Sequence, residues 1–172
     1  MHRHIGIYPG TFDLVHDGHV AFAKEALGLL HLDQVVFLPE KKPRRKQKVS
    51  DISKRQQLLE QALLSEPKLE SHILPSDQFT ILETLPELHQ LLPGSKFTFL
   101  MGSDVAMHLP MWQDLPLLLH GTPILVAMRE GDDVLDIEQV FKELEKSIGA
   151  PIRYTIIDSP RPHMRSSALR KN

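Results

Sequence analysis

The chain has no cysteine, which excludes a disulfide framework, thiolate metal sites and a cysteine nucleophile. It has no apolar run near the ~20 residues needed to span a bilayer. Met1 to Tyr8 lacks the apolar stretch and cleavage site of a secretory leader. No repeat, low-complexity tract or linker interrupts the 172 residues, which is about the length of one compact domain. A single domain over residues 1–172 is therefore expected, in a soluble chain with the reducing cytoplasm as its setting. Hydrophobic residues at 41% and charged residues at 24% match a globular core and exclude disorder.

Acidic residues are missing from two segments. Lys41, Lys42, Arg44, Arg45, Lys46 and Lys48 stand together without an acid, as do Arg161, Arg165, Arg170 and Lys171. These ten are half of the 20 basic residues, and the rest of the chain sets the other ten against 22 acids. An acidic chain with two concentrated basic segments fits a localised anion better than a nucleic-acid backbone. The basic loop also lacks interleaved aromatics, so no nucleic-acid partner is expected.

Apolar periodicity alternates between strand and helix along the chain. Strands are expected at Arg3–Tyr8, stopping at Pro9-Gly10, at Gln34–Leu38, Leu69–Leu74, Lys96–Met101, Thr122–Met128 and Ile152–Ile157. Between them, helices are expected from Gly18 to Leu30, from Asp51 to about Leu64 with Ser50 as N-cap, and from Thr80 to Leu92, where Pro86 kinks or starts the helix. Gly102–Gly121 reads as broken helix divided by Pro110 and Pro116, Asp133–Ile148 as an amphipathic helix, and Ser166 onward as a final helix. The alternation predicts an α/β fold, a Rossmann-like parallel sheet with helices on both faces. Ligands bind such sheets beyond the carboxyl ends of the strands. The loops at 9–17, 39–49, 102–112 and 159–165 are therefore where a site should lie.

The first of these loops reads Gly10-Thr11-Phe12-Asp13, then His16-Asp17-Gly18-His19 at a helix start. Glycines allow close backbone approach, and a helix N-terminus offers unpaired N–H groups and partial positive charge to a phosphate. Two imidazoles add side-chain donors. No third ligand at metal spacing accompanies them, so no protein-built metal site is expected.

These residues resemble the signature of the HxGH nucleotidyltransferase superfamily. Three further segments follow in that superfamily's order. Gly102-Ser103-Asp104 with Leu109-Pro110-Met111-Trp112 is similar to a Gly-x-Asp…Pro-x-Trp segment of nicotinate-nucleotide adenylyltransferases. Met164 to Arg170 resembles their C-terminal Ser-Ser…Arg motif, and Pro39–Lys46 with Arg55 resembles their basic loop and the helix after it. The resemblance implies transfer of AMP from ATP to nicotinate or nicotinamide mononucleotide, with release of pyrophosphate, in NAD biosynthesis.

It also implies roles. His16, His19 and Arg170 are the expected catalytic groups. ATP is expected against Gly10, Thr11, Phe12, His16, His19, Lys46, Gly102, Asp104, Ser166, Ser167 and Arg170. The acceptor is expected against Asp13, Thr84 and Trp112, the last offering a flat face for the pyridine ring. Mg²⁺ is expected as cofactor, held mainly by ATP phosphates and water. The partners are these small molecules; no membrane contact is expected, and a homo-oligomer is left open.

The sequence departs from the pattern at Leu14, where proline is usual, at Arg165, which replaces a serine, and at Gln113, where an aromatic is common. Gln78–Leu85 poorly matches the family's Ser-Tyr-Thr-x-Asp-Thr-Leu stretch; anchored on Thr84-Leu85, it sets Ile81 at the threonine. Another superfamily member such as a phosphopantetheine adenylyltransferase, or a non-catalytic nucleotide-binding module, stands as the alternative. The first lacks an Arg-Gly-Leu-Arg segment here, and the second has no use for a full set of charge-stabilising groups.

Overall fold

The computed structural model describes residues 2–44, 48–161 and 163. Strand β1 (His4–Gly10) leads into helix α1 (Asp17–Leu29), and β2 (Gln34–Pro39) is followed by α2 (Ile52–Leu63). Next come β3 (Leu69–Ser71), α3 (Ile81–Leu91) and β4 (Lys96–Gly102). Two short helices, α4 (Ser103–Ala106) and α5 (Leu115–Leu119), flank a 3₁₀ turn at Leu109–Met111, and β5 (Ile124–Met128), α6 (Val134–Ile148) and β6 (Tyr154–Asp158) complete the described elements.

The six strands form one sheet in the order β3-β2-β1-β4-β5-β6, every pair parallel. This is the doubly wound order, and the expected α/β architecture is observed. The order reverses between β1 and β4, which makes the carboxyl ends of these two strands the switch point.

Strand alternation divides the core between the two faces. Val36, Leu38, Phe99, Met101 and Val126 pack with Ile81 and Leu88 of α3, Leu118 of α5, and Ile137 and Phe141 of α6. On the other face Val35, Phe37, Leu100 and Leu125 pack with Phe22, Ala23 and Ala26 of α1 and with Leu59 and Leu63 of α2.

Several boundaries differ from the sequence expectation. Strand β1 does not stop at Tyr8: Pro9 stands opposite Leu38 and Gly10 opposite Pro39. Pairing with β4 ends at Ile7, so beyond that residue β1 has one neighbour, and a proline without an N–H is tolerated there as on an edge. Ser50 is not the N-cap of α2; Asp51 is. The Ser50 backbone is used elsewhere, its N–H donating to Asp13 Oδ2 at 3.1 Å and its carbonyl accepting from Arg55 Nε at 2.8 Å.

Pro86 neither starts α3 nor breaks it. Thr80 is the N-cap, its hydroxyl accepting from the Glu83 N–H at 3.3 Å, and the helix runs through the proline at the loss of one hydrogen bond. Strand β3 is shorter than expected, since an edge strand of three residues suffices to finish the sheet. Strand β6 runs from Tyr154 to Asp158 rather than from Ile152 to Ile157. The helix expected from Ser166 lies outside the described residues. Among the described residues no helix is long and apolar enough to cross a membrane.

Candidate active site

The start of α1 is capped by imidazoles. His16 has the extended backbone of an N-cap, and its Nδ1 accepts from the Gly18 N–H at 3.1 Å. Three residues on, His19 Nδ1 accepts from the His16 N–H at 3.2 Å. This is the reciprocal geometry of a capping box, with two ring nitrogens in place of a hydroxyl and a carboxylate. An Nδ1 that accepts has no hydrogen, so in each neutral ring the hydrogen sits on Nε2. The caps therefore fix both tautomers and leave each ring a donor at its far nitrogen.

The two rings stack at 3.8 Å between centroids and 26° between planes. His19 also meets the Phe12 ring edge-on at 5.1 Å. Two cationic rings at that separation would repel strongly, so the stack favours neutral imidazoles. Burial holds the His16 imidazole below its ordinary value, the Arg129 guanidinium pushes it the same way, and Asp17 acts in the opposite direction.

Gly10 and Phe12 shape the loop beneath. A Cβ on Gly10 would lie 2.9 Å from Phe12 Cζ, so only glycine lets the strand end pass under that ring. Phe12 itself has φ of 48° and is 3% exposed, which seats its ring against Tyr8 at 5.3 Å and Phe37 at 5.3 Å.

Across the switch point, at the end of β4, the Asp104 carboxylate pairs with Arg129 Nη1 at 3.0 Å. The pair lies over Gly102, where a Cβ would stand 2.7 Å from Asp104 Oδ1 and 3.4 Å from Arg129 Nε. The Ser103 hydroxyl, fully buried, donates to Asp132 Oδ2 and accepts from the Arg129 N–H at 3.0 Å. The ends of β4 and β5 are thereby locked together.

A cavity of about 270 Å³ opens beside α3. Its walls include Arg44, Phe79, Thr80, Glu83, Trp112 and Asp114, and the Phe79 and Trp112 rings lie 5.4 Å apart at 49°. The cavity is tied to the imidazole loop by a chain of hydrogen bonds. The Gly10 carbonyl accepts from the Glu40 N–H at 3.0 Å, and Glu40 Oε1 accepts from the Phe79 N–H at 2.8 Å.

Arg55 makes a second tie. It is 1% exposed, and its guanidinium donates to the carbonyls of Ser50 at 2.8 Å, Thr11 at 2.7 Å and Lys41 at 3.3 Å. Burial lowers its pKa from the ordinary value, and the carboxylates of Asp13, Glu40 and Asp51 oppose that shift. One side chain thus joins the imidazole loop, the basic loop and the start of α2.

The residues expected from the sequence divide into three groups. Gly10, Thr11, Phe12, His16 and His19 share the loop after β1, and Gly102 and Asp104 lie at the end of the adjacent strand β4. Trp112 lines the cavity. Asp13 and Thr84, expected to touch the acceptor, are 2% and 0% exposed. Asp13 accepts from the Ser50 N–H, and Thr84 Oγ1 accepts from the Thr80 N–H at 3.2 Å, so in this structure both brace the backbone beneath the site. Lys46, Ser166, Ser167 and Arg170 lie outside the described residues. Arg44 and Glu40 lie in the loop at 39–49 where a site was expected but were given no individual role there, Arg129 was not expected at the site, and Arg55 was expected only as part of a resembling helix.

Among the described residues no group of three or more His, Asp or Glu side chains could hold a metal ion. The nearest candidate donors are spent: both imidazole Nδ1 atoms cap α1, and Asp104 is neutralised by Arg129.

Comparison with known proteins places these features in a family context. A family model described as cytidylyltransferase-like matches residues 7–172. A protein named "Probable nicotinate-nucleotide adenylyltransferase" from Neisseria meningitidis serogroup C is 30% identical over 177 residues, covering 99% of this chain and 87% of its own. One of the same name from Synechococcus sp. is 33% identical over 175 residues, covering 98% of this chain and 82% of its own. Among solved structures, Plasmodium falciparum nicotinic acid mononucleotide adenylyltransferase complexed with NaAD matches with a TM-score of 0.76 at 19% identity, over 99% of this chain and 83% of that one. At that identity the likeness is one of fold.

Two predictions follow from the geometry. Arg55→Met removes the donors to three carbonyls and is expected to lower unfolding stability by about 3 kcal/mol, read by urea denaturation; a loss under about 1 kcal/mol would contradict the clasp. Because His16 holds its proton less tightly folded than unfolded, the unfolded chain takes up the proton first as pH falls. Its contribution is whole above about pH 6.5 and is lost as pH drops through the lower folded value. Stability measured between pH 7 and pH 5 should therefore decline with acid, in part also through His4, whose imidazole burial lowers as well. His16→Asn keeps an N-cap acceptor and should flatten that decline; an unaltered slope would contradict the assignment.

Proposed function

The chain belongs to the cytidylyltransferase-like family, and we propose that it is the adenylyltransferase that moves AMP from ATP to nicotinate mononucleotide, releasing pyrophosphate, in NAD biosynthesis. The reaction is placed in the cytoplasm, where ATP is at hand. The name shared by its Neisseria and Synechococcus relatives supports this acceptor. The observation that carries the reading is the hydrogen-bonded link between an imidazole-capped helix start and an aromatic-walled cavity.

In the proposed mechanism a 5′-phosphate oxygen of the mononucleotide attacks the α-phosphorus of ATP in line. The bond from that phosphorus to the α,β-bridging oxygen breaks, and its electron pair leaves with pyrophosphate. No covalent enzyme intermediate is needed, since such transfers rest on positioning and charge stabilisation. The Nε2–H groups of His16 and His19 donate to the triphosphate where negative charge develops, and the N-terminus of α1 adds its partial positive charge. A neutral imidazole can serve because, with Nδ1 accepting from the backbone, it still carries one N–H on Nε2. Asp104, held by Arg129, accepts from ribose hydroxyls. Trp112 and Phe79 receive the pyridine ring. Lys46, Ser166, Ser167 and Arg170 complete the phosphate cradle, as the sequence leads us to expect. Mg²⁺ enters with ATP as part of the substrate, and no step is assigned to a protein-held metal.

The experiment is a pyrophosphate-release assay with ATP against nicotinate mononucleotide, nicotinamide mononucleotide and phosphopantetheine. Turnover with a pyridine mononucleotide is expected, and turnover with phosphopantetheine alone would overturn the reading. His19→Ala should lower kcat by roughly 10²–10³ with the unfolding midpoint little changed; an unaltered kcat would remove His19 from the mechanism.

A further inference from the structure

Tyr8 carries a hydroxyl that the mechanism above does not use. Its ring is enclosed by three phenylalanines, with Phe12 at 5.3 Å, Phe22 at 5.4 Å and Phe37 at 5.1 Å between centroids, and the His19 ring stands 6.1 Å away. A fourth phenylalanine would fill that aromatic setting equally well, so packing alone gives no reason for the hydroxyl. Among the described residues the Tyr8 hydroxyl has no hydrogen-bond partner, yet its oxygen is not sealed from solvent. A half-buried donor left unpaired is costly unless water or a bound molecule completes it.

Two observations place this hydroxyl at the crevice where ATP is proposed to lie. The first is register. Pairing of β1 with β4 ends at Ile7 opposite Phe99, so Tyr8 stands where the two strands part, at the switch point. Tyr8 packs on the sheet face that carries Leu100 and Ala127. Gly102 and Arg129 each follow one of these by two positions, which puts them on the same face. The second is the charge nearby. The Asp104–Arg129 pair lies over Gly102, within 2.7 Å and 3.4 Å of where a Cβ would stand. Burial raises the Tyr8 phenol above its ordinary value, the Arg129 guanidinium opposes that shift and the Asp104 carboxylate adds to it. The hydroxyl therefore keeps its hydrogen at neutral pH and has this pair as its charged neighbours.

We propose that Tyr8 is a further nucleotide-binding residue, its hydroxyl donating to the ribose hydroxyl of ATP that in turn donates to Asp104. A ribose hydroxyl accepts one hydrogen bond while donating another, and a carboxylate can only accept. Tyr8 thus supplies the donor that Asp104 lacks, and the two hold one hydroxyl from two sides. The inference rests on the adenylyltransferase reading, in which Asp104 accepts from the ribose.

Its test compares the wild type with Tyr8→Phe, which keeps the ring in its aromatic setting. The kcat and KM are measured for ATP, 2′-deoxy-ATP and 3′-deoxy-ATP at saturating nicotinate mononucleotide, with the Kd of each nucleotide by calorimetry and the melting temperature alongside. Tyr8→Phe should lower kcat/KM for ATP by about 3- to 10-fold, chiefly through KM, with the KM for the mononucleotide unmoved and the melting temperature held or raised. With the deoxy analogue that lacks the accepting hydroxyl, the same substitution should cost less than about 2-fold. Equal losses with ATP and both analogues would mean a phosphate contact or a structural role and would overturn the proposal, as would an unchanged kcat/KM for ATP. If the wild type binds ATP but turns over no mononucleotide, the adenylyltransferase reading itself fails, and the binding measurements still decide for or against Tyr8.

Discussion

The structure depends most on how the first turn of α1 is satisfied. A helix start must find partners for its open N–H groups, and hydroxyls or carboxylates usually serve. Here two imidazoles do so, each through Nδ1. The cap thereby also sets what the rings can donate, because an Nδ1 that accepts a backbone hydrogen bond commits Nε2 to being a donor. A carboxylate cap would satisfy the helix equally well and repel a triphosphate. The stacked geometry and the burial that lowers the His16 pKa both favour the uncharged form, so the donors are set before a nucleotide arrives.

The second constraint is the linkage between loops that are far apart in sequence. Gly10, Glu40 and Phe79 are joined by consecutive hydrogen bonds, and the Arg55 guanidinium spans Thr11, Lys41 and Ser50. The imidazole loop and the aromatic cavity are therefore joined directly. For a two-substrate transfer this is a physical advantage, since in-line geometry tolerates little error in the relative placement of the reactants. Glycine at position 102 serves the same end, leaving the Asp104–Arg129 pair room to lie over the ends of β4 and β5.

The alternation of apolar strands and amphipathic helices was legible from the sequence, because each strand is a short run such as Val35-Val36-Phe37 that only a two-sided core can bury. The imidazole pair was legible because its spacing at a helix start carries its own reason. Arg55 was harder. It shares a stripe with Leu59 and Leu63, one turn and two turns along α2, and all three are buried, so a cation on an apolar face was the available signal. Nothing local marked the roles of Glu40 or Arg129, since these come from partners distant in sequence. Asp13 and Thr84 were expected to touch the acceptor, yet packing turns both beneath the surface, which motif spacing does not encode. One-sided pairing accounts for the misplaced end of β1, where it permits a proline that pattern reading forbids.

The ring nitrogens of His16 and His19 can be observed directly by ¹⁵N-detected two-bond correlation spectra of the ring-labelled protein at neutral pH. Both rings are predicted in the Nε2–H tautomer with unprotonated Nδ1, and the Nε2 resonances should shift when ATP is added. An Nδ1–H tautomer in either ring, or a His16 imidazolium at neutral pH, would contradict a site whose donors are set by the helix cap.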